Sequence, residues 1–262
     1  MLAASTFSAG LLLLPTPLQR DVRQLYHMLR TIDDLVDEND PQAAERVDAI
    51  EYWINGVDLG TPETHTLNRL SRRYPIPPQA IADFCEGMRQ DLDGASIETE
   101  AHLDAYCHRV AGTVGIMLAA ILGTTHRNGE QQMETLGRAM QRTNIVRDID
   151  EDLANGRLYL PRTAIEHFGF PTPGDREALL RDQIARADRL YEDGMRAIPQ
   201  LTNGSAWMAI SAALYREYLR QIERDGFGRK PGRTTIPVWR KHALIAKHQT
   251  MKNRARQRQV RQ

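Results

Sequence analysis

Disulfides are the first thing this chain lacks: Cys85 and Cys107 are its only cysteines in 262 residues. Two thiols build no disulfide framework, and they read as buried, reduced residues of a cytoplasmic protein. Long apolar runs are missing too. No stretch approaches the roughly 18–20 uninterrupted apolar residues of a membrane helix. The opening MLAASTFSAGLLLLP has no basic flank and is cut by Pro15 and Pro17, so it is not expected to act as a signal peptide. No alternating apolar pattern is long enough for a sheet. The eight histidines include no HExxH pair, and His108 beside Cys107 reads as packing rather than as a ligand. Net charge is absent as well, 34 Lys plus Arg against 34 Asp plus Glu, and Trp53, Trp207 and Trp239 are scattered. A wholesale nucleic-acid binder is thereby excluded.

The neutral sum hides two unlike parts. Asp225 is the last acidic residue, and the 11 Lys plus Arg beyond it leave the preceding body at −11 and the tail at +11. Within the body, what is present is helical periodicity. Thr16-Pro17 reads as an N-cap and first helical position, followed by Leu18, Val22, Leu25, Leu29, Ile32 and Val36 at spacings of three and four. The same pattern runs through Pro78–Leu92, Leu103–Ile121, Gln131–Leu153, Arg176–Ile198 and Ala206–Glu223. Turn signals such as Gly60-Thr61-Pro62, Asn155-Gly156 and Asn203-Gly204 separate these runs. The expectation is one all-α domain of about eight helices over residues 17–228, preceded by a segment 1–16 and followed by a basic tail, 229–262. That tail reads either as anionic-lipid contact, at ~1 kcal/mol per well-placed cation, or as a solvated end.

Two acidic clusters stand out, Asp33, Asp34, Asp37 and Glu38 in one and Asp148, Asp150, Glu151 and Asp152 in the other. Asp33 and Asp37 share a helix face, as do Asp148 and Asp152. Both clusters occupy last helical turns, stopped by Asn39-Asp40-Pro41 and by Asn155-Gly156. There the macrodipole is negative and each carboxylate costs ~0.3–1 kcal/mol. Compensation by a cation is therefore required. Arg30 and Arg147 could provide it as ordinary salt bridges, whereas oxygen-only donors in two such walls fit Mg²⁺ bridging a diphosphate. An EF-hand fails, because Leu153 stands where the loop needs glycine. Tyr26, Arg30, Asp33 and Asp37 form a polar stripe on one helix, and Gln141, Asn144, Asp148 and Asp152 form its counterpart on another. Stripes of Tyr, Gln and Asn leading to carboxylates point to ligand contact.

These residues fall within ordered motifs: TFSAGLLLLP, DDLVDE, GMRQDL (Gly87–Leu92), YCHRVAGTVG (Tyr106–Gly115), QRTNIVRDIDEDLANGRLYLP (Gln141–Pro161) and ALYREYLRQIERDGF (Ala213–Phe227). Together, from about Thr6 to Phe227, they resemble the squalene and phytoene synthase family of head-to-head isoprenoid synthases. In style the motifs are nearest the bacterial phytoene, dehydrosqualene and presqualene diphosphate synthases. The resemblance implies an isoprenoid-synthase helical bundle around a central cavity. It further implies Mg²⁺-dependent condensation of two identical prenyl diphosphates, geranylgeranyl or farnesyl, through a cyclopropyl diphosphate. The product would be phytoene or a squalene-type C30 hydrocarbon.

By the same resemblance Asp33, Asp37, Asp148 and Asp152, with Asn144, stand where the family holds its metal. Arg30, Gln141 and Arg147 line the diphosphate region, Tyr106 serves the first half-reaction, and Arg157 and Tyr159 help to close the site. The membrane would be met peripherally, through the product and the basic tail. NADPH would be used only for a squalene product, and Gly226-Phe227-Gly228, which follows a helix, gives it no support. The pair Ala111-Gly112-Thr113-Val114-Gly115 puts two glycines inside a helix at ~0.8–1 kcal/mol each, for tight packing or for a tunnel. The chain departs from the family at Ala3–Thr6, where polar residues are usual, and at Arg23 and Arg142, where apolar ones are. Those departures bear on the tunnel, and they keep a class I terpene cyclase acting on one prenyl diphosphate as the alternative.

Overall fold

The computed structural model describes residues 10–94 and 96–247. Over these its elements include α1 (Thr16–Asp37), α2 (Ala43–Ile54), α3 (Pro62–Ser71), α4 (Pro78–Leu92), α5 (Glu100–Cys107), α6 (Thr113–Leu122), α7 (Gly129–Ala154), α8 (Arg162–Phe168), α9 (Glu177–Gly194) and α10 (Ser205–Arg224). Residues 238–247 are helical as well. The all-α class is as expected. The short helices α2, α3 and α8 were not legible as periodic runs, because two or three turns offer too few repeats.

The long helices form where apolar residues recur at one face. α1 buries Val22, Leu25, Leu29, Ile32 and Val36, and α7 buries Met133, Leu136, Ala139, Ile145, Val146 and Ile149. α7 is the axis of the bundle, packed on α6, α9 and α10. The start of α1 differs by one position from expectation: Pro15 is the N-cap, Thr16 the first helical residue, and no side chain caps it. Its end is as anticipated, with Asn39 in the left-handed region at φ 51°, which asparagine tolerates.

α5 and α6 form one helix from Glu100 to Leu122, joined by a π-helical turn over His108–Gly112. By length and composition alone this helix could cross a membrane, with a mean hydropathy of 1.5, although Asp104, His108 and Arg109 interrupt it. More than half of it is enclosed by the other helices, as befits the core helix of a bundle. His108 is not simply packed. Its Nδ1 lies 2.9 Å from a Glu134 carboxylate and its Nε2 lies 3.3 Å from Asp83.

The two departures at arginine lie away from any tunnel. Arg142, 3% exposed, projects from the far side of α7 and donates to Asp104, Glu100 and Gln183. Arg23 is exposed on α1. Arg142 follows Gln141 by one position and so points about 100° from the polar stripe of α7; Arg23 shares the face of Tyr26 but stands before the cavity begins, and neither residue lines it.

Close packing between α6 and α7 explains the glycines at their contact, Gly115 and Gly137. A Cβ at Gly115 would stand 2.1 Å from the Met133 carbonyl oxygen, and one at Gly137 would stand 2.2 Å from that of Ala111. The α6 and α7 backbones touch here. Replacing Gly115 by alanine should destabilise the fold by about 1–3 kcal/mol or more, measurable as a lower urea midpoint; an unchanged midpoint would contradict the close approach.

Candidate active site

A cavity of about 430 Å³ opens between α1, α4, the α5–α6 helix, α7 and α10. It falls within the usual range for small-molecule sites. Tyr26, Arg30, Asp33, Asp37, Tyr106, Gln141, Asn144, Arg147, Asp148, Asp152, Arg157 and Tyr159 all line it. The two polar stripes anticipated on α1 and α7 therefore face one space. Polarity is graded along α7: Met133, Leu136 and Met140 line the cavity before Gln141, and Asn144, Asp148 and Asp152 line it towards the carboxy-terminal end. Leu29, Phe84, Val110, Val114, Leu118 and Met208 complete the apolar part. The site thus pairs a charged mouth with an oily interior.

Not every acid of the two clusters belongs to this mouth. Asp34, Glu38 and Asp150 do not line the cavity. Asp34 is half-buried and pairs with Arg30 at 2.6 Å, while Asp150 points away into a bidentate pair with Arg176. For Asp150 and Glu38 the physical reason is helix geometry, since they stand two and one positions from the lining acids and only residues three or four apart share a face; Asp34 lies at the edge of the stripe, where Arg30 takes it up. Conversely, Asp91 at the end of α4 lines the cavity, although within GMRQDL no neighbouring acid or polar stripe marks it. It accepts the Tyr106 hydroxyl at 3.0 Å and the Tyr159 hydroxyl at 3.2 Å. The two rings stack with centroids 5.1 Å apart.

Arginines tie the walls together. Arg30 reaches Asp33 at 2.7 Å, Arg147 reaches Asp148 at 2.7 Å and lies over the Tyr218 ring at 4.9 Å. Arg157, from the loop after α7, bonds Asp37 and donates to the Val36 carbonyl at 3.0 Å. That contact joins the carboxy-terminal ends of α1 and α7 directly. From beyond α10, Arg233 meets Asp148 and Glu151, each at 3.1 Å. A part of the segment read as tail is therefore docked on the site, and its remainder, 248–262, lies outside the described residues, as do Ala3–Thr6. Gly226, Phe227 and Gly228 all take positive φ and end α10, and Arg181 covers the Phe227 ring at 3.9 Å.

The electrostatics show strain between the walls. Burial, followed by the nearby Asp37 carboxylate, pushes Asp33 up to about 7. Burial, then Asp148, then Asp37 across the mouth, pushes Asp152 up to about 7. Asp33 nevertheless keeps 35% of its side chain open to solvent, so its depth in the mouth is that of a cleft rather than of a sealed core. Asp91 rises to about 6, chiefly by burial, with the Tyr106 hydroxyl and Arg157 opposing. Burial holds Tyr106 well above its ordinary value, fully protonated at neutral pH. Among the described residues no three His, Cys, Asp or Glu side chains converge as a closed metal cage. Asn144 Oδ1 is buried in this mouth without a hydrogen-bond partner. An orphaned acceptor beside crowded carboxylates fits a hard cation.

Known proteins resemble this chain along most of its length. The family model described as squalene/phytoene synthase matches residues 2–240. A 15-cis-phytoene synthase from Synechococcus elongatus is 35% identical, over 91% of this chain and 86% of its own. A phytoene synthase from Thermus thermophilus is 33% identical, over 93% and 88%. A dehydrosqualene synthase crystal structure superposes with a TM-score of 0.85 at 26% identity, covering 96% of this chain and 93% of that one. With its helical bundle, its graded cavity and a family match across most of its length, the chain belongs to the squalene/phytoene synthase family of prenyltransferases.

Proposed function

We propose that this protein joins two identical prenyl diphosphates, geranylgeranyl or farnesyl, head to head in a Mg²⁺-dependent reaction, giving phytoene or a squalene-type C30 product through a cyclopropyl diphosphate. The observation that carries this reading is the single cavity with an acidic wall on each side of its mouth and an apolar interior. Relatives named phytoene synthase, and a Zymomonas mobilis relative named presqualene diphosphate synthase, 35% identical over 72% of this chain, support it.

In this reading Asp33, Asp37, Asp148, Asp152 and Asn144 hold the metal, which supplies Lewis-acid neutralisation of the diphosphate. The chain does the rest. Arg30 and Arg147 sit beside the walls, where a departing pyrophosphate gains charge. Tyr26 and Gln141 line the diphosphate end, and Arg157 with Tyr159 closes the space between α1 and α7. A carbocation must reach the second double bond before water does, and the interior formed by Phe84, Val114, Leu118 and Met133 excludes water. Tyr106 faces this space with its proton held towards Asp91, so that proton transfer in the first half-reaction has a defined path. The reading does not call on NADPH. It places the protein in the cytoplasm, with peripheral membrane contact where a hydrocarbon product leaves.

A non-ionising thio-diphosphate analogue tests this directly. Calorimetry with Mg²⁺ should give two prenyl chains bound per protein molecule. One chain per molecule would favour a terpene cyclase acting on a single diphosphate.

A further inference from the structure

Residues 228–236 cross the carboxy-terminal end of α7 as an irregular strap, with neither helix nor sheet to hold them. Two side chains of the body satisfy its backbone instead. Arg176, 4% exposed, donates from Nε to the Gly228 carbonyl at 3.1 Å and from Nη2 to the Lys230 carbonyl at 3.5 Å. Its Nη1 and Nη2 grip Asp150 at 2.7 and 2.8 Å, and the other lone pairs of Asp150 Oδ2 take the Gly232 amide at 2.6 Å. Gly228, at φ +70°, passes so close that a Cβ would stand 2.4 Å from Arg176 Nε. The next residue along after Gly232 is Arg233, on Asp148 and Glu151, and Thr234 donates to the Arg147 carbonyl at 3.4 Å.

The relative strength of these contacts decides which of them sets the position of the strap. The Arg233 guanidinium is 46% exposed, and ion pairs of that kind are individually weak. The Arg176–Asp150 pair is bidentate and shielded, and removing one partner strands the other. We propose that Asp150 and Arg176 form a clamp that holds the strap over the mouth of the cavity, so that Asp150 is a positioning residue rather than a member of the metal wall, acting through Arg233. The kinetic part of this inference rests on the proposed condensation; the clamp itself does not.

The test uses the full chain carrying Asp150→Asn or Gly228→Ala, since the second variant breaks the clamp without touching an acid. Trypsin cleavage after Arg229 and Arg233, read by mass, should accelerate about 10-fold in both variants as the strap opens locally, with cleavage inside α1–α10 and the helical circular dichroism unchanged. KM for the prenyl diphosphate should rise about 10-fold while kcat stays within about threefold, because binding geometry rather than chemistry is disturbed. Asp152→Asn should do the reverse, losing kcat with the strap still protected. Unaltered strap cleavage in both clamp variants would overturn the proposal. So would an Asp150→Asn enzyme that loses kcat as Asp152→Asn does while its strap stays protected, since Asp150 would then act in the acidic wall. A wild-type chain that makes no head-to-head product, with cleavage accelerated in both variants, would refute the proposed function and leave the clamp standing.

Discussion

Asp33→Asn and Asp148→Asn should each reduce turnover by about 10²–10³-fold or more while the helical fold is retained. The amide keeps the shape of the side chain and removes the charge that would hold a hard cation, and losses of one electrostatic contact to a developing anion are of that order. Single-turnover pyrophosphate release is the appropriate measurement; near-normal release in both variants would remove the metal assignment. Stability should move the other way. Without metal, Asp33 and Asp152 are held up to about 7 by burial and by neighbouring carboxylates, against an ordinary value of 3.8. The folded chain therefore holds protons that the unfolded chain has released. The stability tied to those protons is fully present below about 4, falls as pH rises, and is lost once pH passes about 7. Asp152→Asn should accordingly gain thermal stability over the metal-free parent at pH 8 and little or none at pH 4. Equal gains at both pH values would contradict the electrostatic cause.

Tyr106→Phe should be the second large effect, a fall in kcat of about 10²-fold or more, in the range assigned to positioned proton donors and acceptors. The hydroxyl lies 3.0 Å from Asp91, and the ring stacks on Tyr159. Phenylalanine preserves the stack and deletes only the hydroxyl, with its hydrogen bond to Asp91. A purely structural tyrosine would show little change in kcat, and the thermal midpoints of the two proteins separate that case from unfolding. Asp91, left with one phenol instead of two, should remain ionised less readily, since the Tyr106 hydroxyl is the larger of the two phenol contributions holding its carboxylate down.

The parts of this site that could be read from the chain are those whose geometry is local. Asp33 and Asp37, or Asn144, Asp148 and Asp152, share a face because helical spacing alone puts them there, and the polarity of the stripes marks which face meets a ligand. Nothing local says what lies opposite. Asp91 is a single acid at the end of α4, and only the tertiary fold sets it against Tyr106 and Tyr159 from two other segments. Asp150 looks like a member of the metal cluster by proximity in sequence, yet a two-residue offset from Asp148 and Asp152 turns it towards Arg176, 26 residues further on. Arg142 sits in the most recognisable motif and still faces a network with Glu100 and Asp104. The basic tail offered only its charge. That Arg233 reaches Asp148 depends on a turn at Gly226–Gly228, whose glycines were visible but whose direction was not.

The charge asymmetry of the chain also takes a structural form. Acids of the body gather at the mouth, and at the nearest point a cation of the tail is laid against them. Elsewhere the body neutralises itself through arginine, as where Asp21, fully buried, accepts from Tyr74 at 2.6 Å and pairs with Arg73 at 2.8 Å, tying α1 to the end of α3. At the mouth, by contrast, acids of two helices crowd one space, which is where a diphosphate and its cations would be received.

Product analysis tests the central claim most directly. The purified chain is incubated with Mg²⁺ and, separately, geranylgeranyl or farnesyl diphosphate, with and without NADPH, and the hexane extract is examined. The account predicts a linear C40 or C30 hydrocarbon from one of the two substrates, or a cyclopropyl C30 or C40 diphosphate in the aqueous phase. Cyclic C15 or C20 products, or no product of doubled chain length from either substrate, would contradict it.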